Sequence, residues 1–97
     1  MTLTEQQKQE IIDSYNAAQR DSVYAEMKID YYTDKQLQAE DEKHRSAAAR
    51  KESSWDARHS FDIGIMEGID RALEIIGLSL VTTDEDIAVD IEGEVGA

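Results

Sequence analysis

FDIGIMEGIDRALEIIGL, residues 61–78, is the longest strongly apolar stretch of this 97-residue chain, and it decides the fold. Its apolar residues recur at steps of three and four, which places them on one face of an α-helix. That predicted face comprises Phe61, Ile65, Ile69, Ala72, Leu73 and Ile76. Gly77 follows the last of them, where a helix C-cap favours a left-handed backbone. We therefore expect a core helix that stops at Gly77.

The rest of this helix surface is acidic and includes two glycines. The acidic arc comprises Asp62, Glu67, Asp70 and Glu74. Gly64 and Gly68 flank the apolar face, and each costs roughly 1 kcal/mol relative to alanine inside a helix. Close approach of another helix backbone would offset that cost, so we expect a neighbouring helix against the two glycines.

The N-terminal third of the chain predicts another long helix that is apolar on two sides. Thr4 with Gln7, or Thr2 with Glu5, has the spacing of a capping box. One predicted face comprises Ile11, Ile12, Tyr15, Ala18, Val23 and Ile29, and the opposite side carries Tyr24, Met27 and Tyr31. A helix of this kind is either sandwiched between neighbours or contacts another subunit.

The middle of the chain leaves the number of helices open. The sequence YYTD at residues 31–34 lowers helix propensity and predicts a break there. The following residues 35–52 are strong helix formers with few large apolar side chains, and i,i+4 spacing predicts the pairs Glu40–His44 and Asp41–Arg45. Ser53–Ser54 could cap a further helix, or a single helix could run from residue 37 to residue 76.

From residue 84 onward the pattern changes from helical periodicity to alternation. Odd positions carry Ile87, Val89, Ile91 and Val95, while even positions carry Asp84, Asp86, Asp90, Glu92 and Glu94. Period two predicts a strand with one buried face, along which carboxylates recur about every 6.6 Å. Residues 78–82 could pair with it through a turn at residues 83–85, as could another chain, and an acidic extended tail is the alternative.

These patterns predict a mainly α fold. We expect a helical hairpin or a three-helix arrangement, followed by a short acidic C-terminal strand or an extended tail. In terms of domains, residues 1–78 form the predicted helical domain. Residues 79–97 form an acidic strand or tail packed on it.

Charge and composition exclude several classes of function. The net charge is −12, and residues 61–97 hold ten acids and one base, whereas residues 32–60 hold six of each. A protein that binds nucleic acid or an anionic membrane directly needs the opposite sign, so this chain should attract a basic protein surface. Without cysteine, thiol catalysis and thiolate metal sites are excluded. No secretory signal or membrane-spanning run occurs, which predicts a cytoplasmic protein.

Motifs for catalysis or metal binding are sparse. His44 with Glu40, and His59 with Asp56, could each offer two metal ligands, but a metal site normally needs three or four. Nucleophile elbows and phosphate-binding loops do not occur. We therefore expect no metal, no cofactor and no catalytic residue. Trp55 is predicted to anchor the core, or to be a binding hot spot if it is exposed beside Arg58.

Glu67-Gly-Ile-Asp70 resembles the E-x-x-D helix of the MazG-type all-α nucleoside-triphosphate pyrophosphatases. That family holds magnesium between such a helix and an E-E-x-x-E helix. Glu40-Asp41-Glu42 would supply the upstream half, although Lys43 and His44 stand where the third acid should appear. The resemblance implies a magnesium-dependent nucleotide pyrophosphatase, whereas a solvated acidic helix face is the plainer interpretation.

Three segments carry a second resemblance, namely TLTEQQKQEI (2–11), GIMEGIDRALEIIGL (64–78) and DEDIAVDIEGE (84–94). In size, charge and helical character the chain resembles the small acidic inhibitors that phages encode against host CRISPR and restriction systems. These anti-CRISPR and anti-restriction proteins share no common motif. The resemblance implies a non-enzymatic inhibitor in the host cytoplasm, which would bind a basic defence nuclease or effector complex, in one version by mimicking nucleic acid.

Two surfaces are therefore predicted to bind partners. The acidic one comprises Asp84, Asp86, Asp90, Glu92 and Glu94, joined by Asp62, Glu67, Asp70 and Glu74 from the last helix. The competing interpretation is a structural or dimerisation module. In that case the helices would pair into a homodimer through the Gly64/Gly68 flank or through the face that carries Tyr24, Met27 and Tyr31.

Overall fold

Two long α-helices and a two-stranded sheet make up residues 2–93, the part of the chain that the computed structural model describes. The order is α1 (Glu5–Gln38), α2 (Glu42–Ile75), β1 (Leu78–Thr82) and β2 (Ala88–Gly93). Residues 39–41 join the helices, so the predicted mainly α hairpin with a C-terminal strand is confirmed. Within residues 2–93 the three-helix alternative is not observed.

The helix ends follow local capping chemistry. The Thr4 N–H donates to Gln7 Oε1 at 2.9 Å and the Gln7 N–H donates to Thr4 Oγ1 at 3.1 Å, which confirms one of the two predicted capping boxes. Asp41 caps α2, because its Oδ1 accepts the His44 N–H at 2.8 Å. Gly77 has a φ of 80°, so the predicted left-handed C-cap is also confirmed.

The predicted break at residues 31–34 is wrong, because α1 continues through them to Gln38. Helix propensity is a weak preference that tertiary contacts override, and here Lys51 of α2 lies 5.8 Å from the Tyr32 centroid while Gln36 donates to Glu52 of α2. The actual break lies at residues 39–41, where Asp41 supplies the cap. Consequently α2 is uninterrupted at Ser53–Ser54 and does not begin at residue 37.

The same cap changes the predicted helix pairs. His44 Nδ1 contacts Asp41 Oδ2 at 2.7 Å rather than Glu40, and Arg45 pairs with Glu42 at 3.1 Å rather than with Asp41. Both observed pairs have i,i+3 spacing. The carboxylate of Asp41 accepts the His44 N–H in the first turn of α2, and this brings it beside the His44 ring.

Contacts divide the chain into two compact units, each of which contains parts of both helices. Unit 1 comprises residues 1–19 and 63–97, and unit 2 comprises residues 20–62. In the sequence, unit 1 carries twelve acids and two bases, whereas unit 2 carries ten acids and eight bases. The negative charge of the protein is therefore concentrated in unit 1.

The apolar core of unit 1 joins both helices to the sheet. Its buried centre consists of Ile12, Leu73, Ala88 and Ile91. Partly buried side chains that pack against this centre are Leu3, Ile11, Tyr15, Ile69, Ile76, Leu78 and Leu80. The C-terminal strand thus packs Ala88 and Ile91 against the helices. Of the residues that alternation placed inward, Ile91 is buried, Ile87 is 41% exposed and Val95 lies outside the described residues.

The sheet contains a β-bulge that the alternation did not predict. β1 and β2 pair antiparallel, with Leu80 opposite Ile91, Val81 opposite Asp90 and Thr82 opposite Ala88, which leaves Val89 without a partner. The extra residue shifts the inward face by one position. Ala88 is therefore buried while Val89 is 54% exposed, so the prediction of a buried Val89 is wrong.

The backbones of β1 and β2 approach each other closely at Gly93. This glycine lies opposite Leu78, and an added Cβ would lie 2.5 Å from the Gly77 carbonyl oxygen. No side chain fits in that space. A residue other than glycine at position 93 would therefore push the strands apart.

Unit 2 is a helical hairpin whose interior mixes small, polar and aromatic residues. Side chains spaced alternately three and four apart along each helix form the seam: Ser22, Ala25, Ile29, Tyr32 and Gln36 from α1, and Ala48, Glu52, Trp55, His59 and Asp62 from α2. The Gln36 side-chain amide donates to the Glu52 carboxylate across the seam. This spacing is that of an antiparallel coiled coil.

Two adjacent residues of α2 differ in exposure from the prediction. Phe61, expected in the core, is 67% exposed, and Asp62, expected on the acidic arc, is only 5% exposed. Both predictions are wrong because the seam follows a 3.5-residue repeat through Asp62 and Met66, rather than the apolar stripe that begins at Phe61.

The expected helix neighbour at the interior glycines is also not observed among residues 2–93. A Cβ added at Gly64 or at Gly68 would have no atom within 4 Å. Both glycines face open space, so a close helix contact within the described chain does not compensate for their helix-propensity cost.

Candidate functional site

The predicted acidic residues near the C-terminus occupy one strand and the turn before it. Asp90 and Glu92 lie on β2 and are exposed, whereas Asp84 and Asp86 are exposed in the turn between the strands. Glu94 lies outside the described residues. The even spacing predicted from the sequence therefore applies to Asp90 and Glu92, which are two residues apart on a strand.

Backbone hydrogen bonds fix the turn that carries Asp84 and Asp86. The Thr83 N–H donates to the Ile87 carbonyl at 2.9 Å, and the Asp86 N–H donates to the Thr83 carbonyl at 2.9 Å. Asp86 has a φ of 60°, a left-handed conformation that aspartate tolerates better than most residues. The turn thus presents its carboxylates from a defined backbone.

Asn16 of α1 holds the start of β2 in place. Its Nδ2 donates to the Ala88 carbonyl at 2.9 Å, and its Oδ1 accepts the Ala88 N–H at 2.8 Å. The amide therefore pairs with Ala88 as a neighbouring strand would. Analysis of the sequence missed this residue, for which the available signal was a polar, weak helix former within α1.

Three further predicted site residues form an acidic row on α2. Glu67, Asp70 and Glu74 are exposed and line a shallow depression of about 660 Å³ together with Arg71 and Ile75. Asp62 does not belong to this row because it is buried.

The pKa of the Tyr15 hydroxyl reflects acids from two elements. Burial, and then the negative charges of Asp70 on α2 and Asp86 in the turn, raise this pKa.

Few cations neutralise this surface. Within residues 2–19 and 63–93, Lys8 and Arg71 are the basic residues, and the ion pair between Lys8 and Glu5 at 3.8 Å is the one that forms. The carboxylates of the strand, the turn and α2 thus retain their charge for an external partner. We use the name acidic surface for Glu67, Asp70, Glu74, Asp84, Asp86, Asp90 and Glu92.

Unit 2 has a different surface, which combines aromatic rings and cations. The Trp55 ring meets the Tyr24 ring edge to face at 5.4 Å, and the Arg58 guanidinium lies 5.1 Å from the Trp55 centroid. Trp55 is half-buried, so it both contributes to the seam and lies beside Arg58 as one sequence alternative predicted. A separate open cavity of about 550 Å³ is lined by Tyr31, Tyr32, Lys35, His44 and Lys51, among others.

A pair of carboxyl groups lies within the seam of unit 2. Arg58 donates to both oxygens of Asp21, at 2.7 and 2.5 Å, and these bonds lower the pKa of Asp21. Burial and the adjacent Asp21 raise the pKa of Asp62 from 3.8 to about 6. Asp62 Oδ2 is buried without a hydrogen-bond partner. Asp62 is therefore protonated over part of the pH range in which ordinary carboxyl groups are charged.

The Asp62→Asn variant should lose a pH dependence of stability that the natural chain has. The pKa of Asp62 is raised from 3.8 to about 6, so between these two pKa values the folded chain holds a proton that the unfolded chain has released. The natural chain therefore has its full stability below about pH 4 and loses part of it as the pH rises through about 6. We expect the variant to gain about 1–2 kcal/mol relative to the natural chain between pH 4 and 7.5. Urea unfolding across that range measures the difference. Asp56→Asn, at an exposed position of the same helix, is the control, and a pH-independent difference for Asp62→Asn would contradict the assignment.

Comparison with protein-family models, with curated proteins and with solved structures finds no match for this chain. In the described part of the chain, no three His, Cys, Asp or Glu side chains are grouped so that they could hold a metal ion. Neither α1 nor α2 is apolar enough over a sufficient length to cross a bilayer. The candidate site is accordingly interpreted from its own residues.

Proposed function

We propose that this chain is a binding protein rather than an enzyme, and that it acts through the acidic surface of unit 1. More particularly, it is an inhibitor that occupies the basic surface of a nucleic-acid-handling protein, such as a defence nuclease or effector complex of the anti-CRISPR or anti-restriction kind. The observation that carries this proposal is the set of exposed carboxylates on β2, in its turn and on α2, within a unit whose sequence holds twelve acids and two bases.

Rigid support distinguishes this surface from a flexible acidic tail. Ala88 and Ile91 are buried in the core of unit 1, and β2 pairs with β1 and with the Asn16 amide. Fixed charges lose less conformational entropy on binding than mobile ones, so preorganised carboxylates bind a basic groove more tightly. They also steer association with a partner of opposite charge and select against other acidic proteins.

Competition with nucleic acid follows from this arrangement. A protein that binds nucleic acid presents lysine and arginine side chains to phosphates, and a carboxylate accepts the same charge-assisted hydrogen bonds as a phosphate oxygen. Asp90 and Glu92, held on one strand, and Asp84 and Asp86, held in the turn, would occupy such cations together.

Neutralising the strand and turn acids should abolish most of the inhibition. The triple variant Asp86→Asn, Asp90→Asn and Glu92→Gln removes three charges and nearly keeps side-chain size. All three residues are exposed, so the fold should tolerate the changes. We expect its affinity for a partner captured from host extract to fall by about tenfold or more, and the affinity of the natural chain to fall similarly between about 50 and 500 mM salt.

The matched control removes three exposed charges from unit 2 instead, with Glu40→Gln, Glu42→Gln and Asp56→Asn. Phage plating on a host with an intact nucleic-acid-targeting defence provides the functional readout: the natural chain and the control should raise plating, and the unit 1 variant should not. Equal losses for both triple variants, or an affinity that salt does not change, would refute the proposal.

The magnesium-dependent pyrophosphatase alternative has no specific observation in its favour. Glu67 and Asp70 belong to unit 1, whereas Glu40, Asp41 and Glu42 belong to unit 2.

A further inference from the structure

The open cavity of unit 2 lies beside the connection between the two helices and is lined by aromatic rings and lysines. Its volume of about 550 Å³ is bordered by Tyr31, Tyr32 and Lys35 of α1 and by Lys51 of α2. Small-molecule sites typically occupy roughly 300–1,000 Å³, so the size suits a small ligand. All of these residues belong to unit 2. We call this feature the tyrosine–lysine cavity.

The lysines of the cavity rest on its aromatic rings. The Lys35 ammonium lies 5.3 Å from the Tyr31 centroid, and the Lys51 ammonium lies 5.8 Å from the Tyr32 centroid. Residues 2–93 form five such cation–π contacts, all within unit 2, whereas proteins average about one per 70–80 residues. Exposed contacts of this kind are weak, so an anion that enters the cavity can draw the ammonium groups away from the rings.

Carboxylates are absent from the helical surroundings of these lysines. The chain holds 22 acids and 10 bases, and residues three or four positions apart on a helix are neighbours. At those spacings from Lys35 and Lys51 the sequence places no acid, but Tyr31, Tyr32, Gln38, Ala39, Ala47, Ala48, Ser54 and Trp55. Within the described part of the chain neither lysine forms an ion pair. Both cations are therefore available to an external anion.

Two acids also line the cavity, at the connection between the helices. Asp41 is engaged, because it accepts the His44 N–H at 2.8 Å and contacts the His44 ring at 2.7 Å. Glu40 is exposed and is the lining carboxylate that opposes an anion. At physiological ionic strength charges farther away than about 8 Å are largely screened. The lining residues, rather than the net charge of −12, therefore determine which ions the cavity attracts.

We propose that the tyrosine–lysine cavity binds a nucleoside phosphate, with the base stacked on Tyr31 and the phosphate held by Lys35 and Lys51. Tyr31 is 50% exposed, so its ring is accessible to a flat partner. Bases stack on aromatic side chains without regard to sequence, and lysine donates charge-assisted hydrogen bonds to phosphate oxygens. An inorganic phosphate leaves the rings unused, and so does an acidic peptide that lacks aromatic side chains. A nucleoside phosphate uses both the rings and the cations.

Calorimetric titration of the full chain with three probes tests the ligand class. We expect adenosine monophosphate to bind about tenfold or more tightly than either adenosine or inorganic phosphate, since each of these keeps one half of the recognition. A 5′-phosphorylated oligoadenylate distinguishes the sources: comparable affinity indicates the end of a nucleic-acid strand, and much weaker binding indicates a free nucleotide. Absence of binding at millimolar adenosine monophosphate, or equal affinity for a glutamate-rich peptide, overturns the proposal.

Charge variants locate the phosphate. Lys35→Gln and Lys51→Gln should each weaken binding of adenosine monophosphate by about fivefold or more. Lys43→Gln is the matched control, because Lys43 is an exposed lysine of α2 that does not line the cavity. Glu40→Gln should tighten binding, since it removes a carboxylate from the lining. Equal effects of Lys35→Gln and Lys43→Gln, or weaker binding by Glu40→Gln, would refute the assignment of the phosphate to this cavity.

A pair of substitutions at Tyr31 separates stacking from folding. Tyr31→Leu should weaken binding by about fivefold, whereas Tyr31→Phe keeps the ring and should remain within about twofold of the natural chain. Both variants should keep the helical circular dichroism, because position 31 is half exposed. Equal affinities of the two variants would rule out stacking on this ring. None of these changes alters the acidic surface of unit 1, so the result is independent of the proposed inhibition.

Discussion

The Ile91→Ala variant should unfold at a much lower urea concentration than the natural chain. Ile91 is 3% exposed in the core of unit 1, where it lies with Leu73 and Ile12. Truncating a buried isoleucine removes apolar contacts and leaves a cavity, which costs about 2–4 kcal/mol. For a domain of this size the midpoint of thermal unfolding should fall by more than about 10 °C, as followed by far-ultraviolet circular dichroism.

Val89→Ala is the matched control on the same strand. Strict alternation would bury Val89 together with Ile91, whereas the bulge leaves Val89 54% exposed. We expect a loss below about 1 kcal/mol for this variant. Equal losses at the two positions would contradict the bulge and would indicate that β2 alternates regularly.

Replacing Asn16 by alanine should give the second large loss of stability. The variant leaves the N–H and carbonyl of Ala88 without their partner, and Ala88 is 2% exposed. A buried backbone group that loses its hydrogen bond costs about 1–3 kcal/mol, so we expect about 2–3 kcal/mol in total. Urea unfolding measures the loss, and hydrogen exchange of the Ala88 amide should accelerate in the same variant.

Two further variants separate the hydrogen bonds from helix effects. Asn16→Asp keeps the acceptor for the Ala88 N–H but opposes a carboxylate to the Ala88 carbonyl, so it should also be destabilising. Ser14→Ala, at an exposed position of the same helix, should change stability little. If Asn16→Ala were no worse than Ser14→Ala, the amide would not be anchoring β2.

Features that depend on a few adjacent residues were predictable from the sequence. The capping box of Thr4 and Gln7 and the left-handed Gly77 were predicted and confirmed, and pairing of residues 78–82 with the C-terminal strand is the one observed of the alternatives left open. The two helix caps are decided by backbone hydrogen bonds and conformational preferences within a short window. Local chemistry therefore predicted where α1 begins and where α2 ends, but not the break between them.

Features that depend on which face of a helix turns inward were not predictable. α1 has two apolar faces, and the larger side chains of Tyr24 and Met27 favoured neither on composition alone. The seam instead buries the small Ser22 and Ala25 of α1, together with Ala48 and Asp62 of α2, and burial and the adjacent Asp21 raise the pKa of Asp62. Periodicity identifies which residues share a face, but tertiary contacts determine which face is buried.

The candidate site likewise combines features that neighbouring residues determine with features that tertiary contacts determine. The exposure of Glu67, Asp70 and Glu74 followed from their polarity and spacing on α2. The packing of β2 against the helices, which buries Ala88 and Ile91, did not follow from the sequence in this way. Nor did the anchoring role of Asn16, whose partner is 72 residues away in the sequence.

A sheet of only two strands has two open edges, and such edges recruit strands from other molecules into aggregates. Here the outer edge at Ala88 is occupied by an asparagine amide, and Asp90 and Glu92 add like charges to every copy that approaches along β2. Stacking of sheets into fibrils is thereby opposed by electrostatic repulsion. Near the isoelectric point of about 4.3 the net charge of the protein approaches zero and this repulsion is weakest, so storage at that pH invites precipitation.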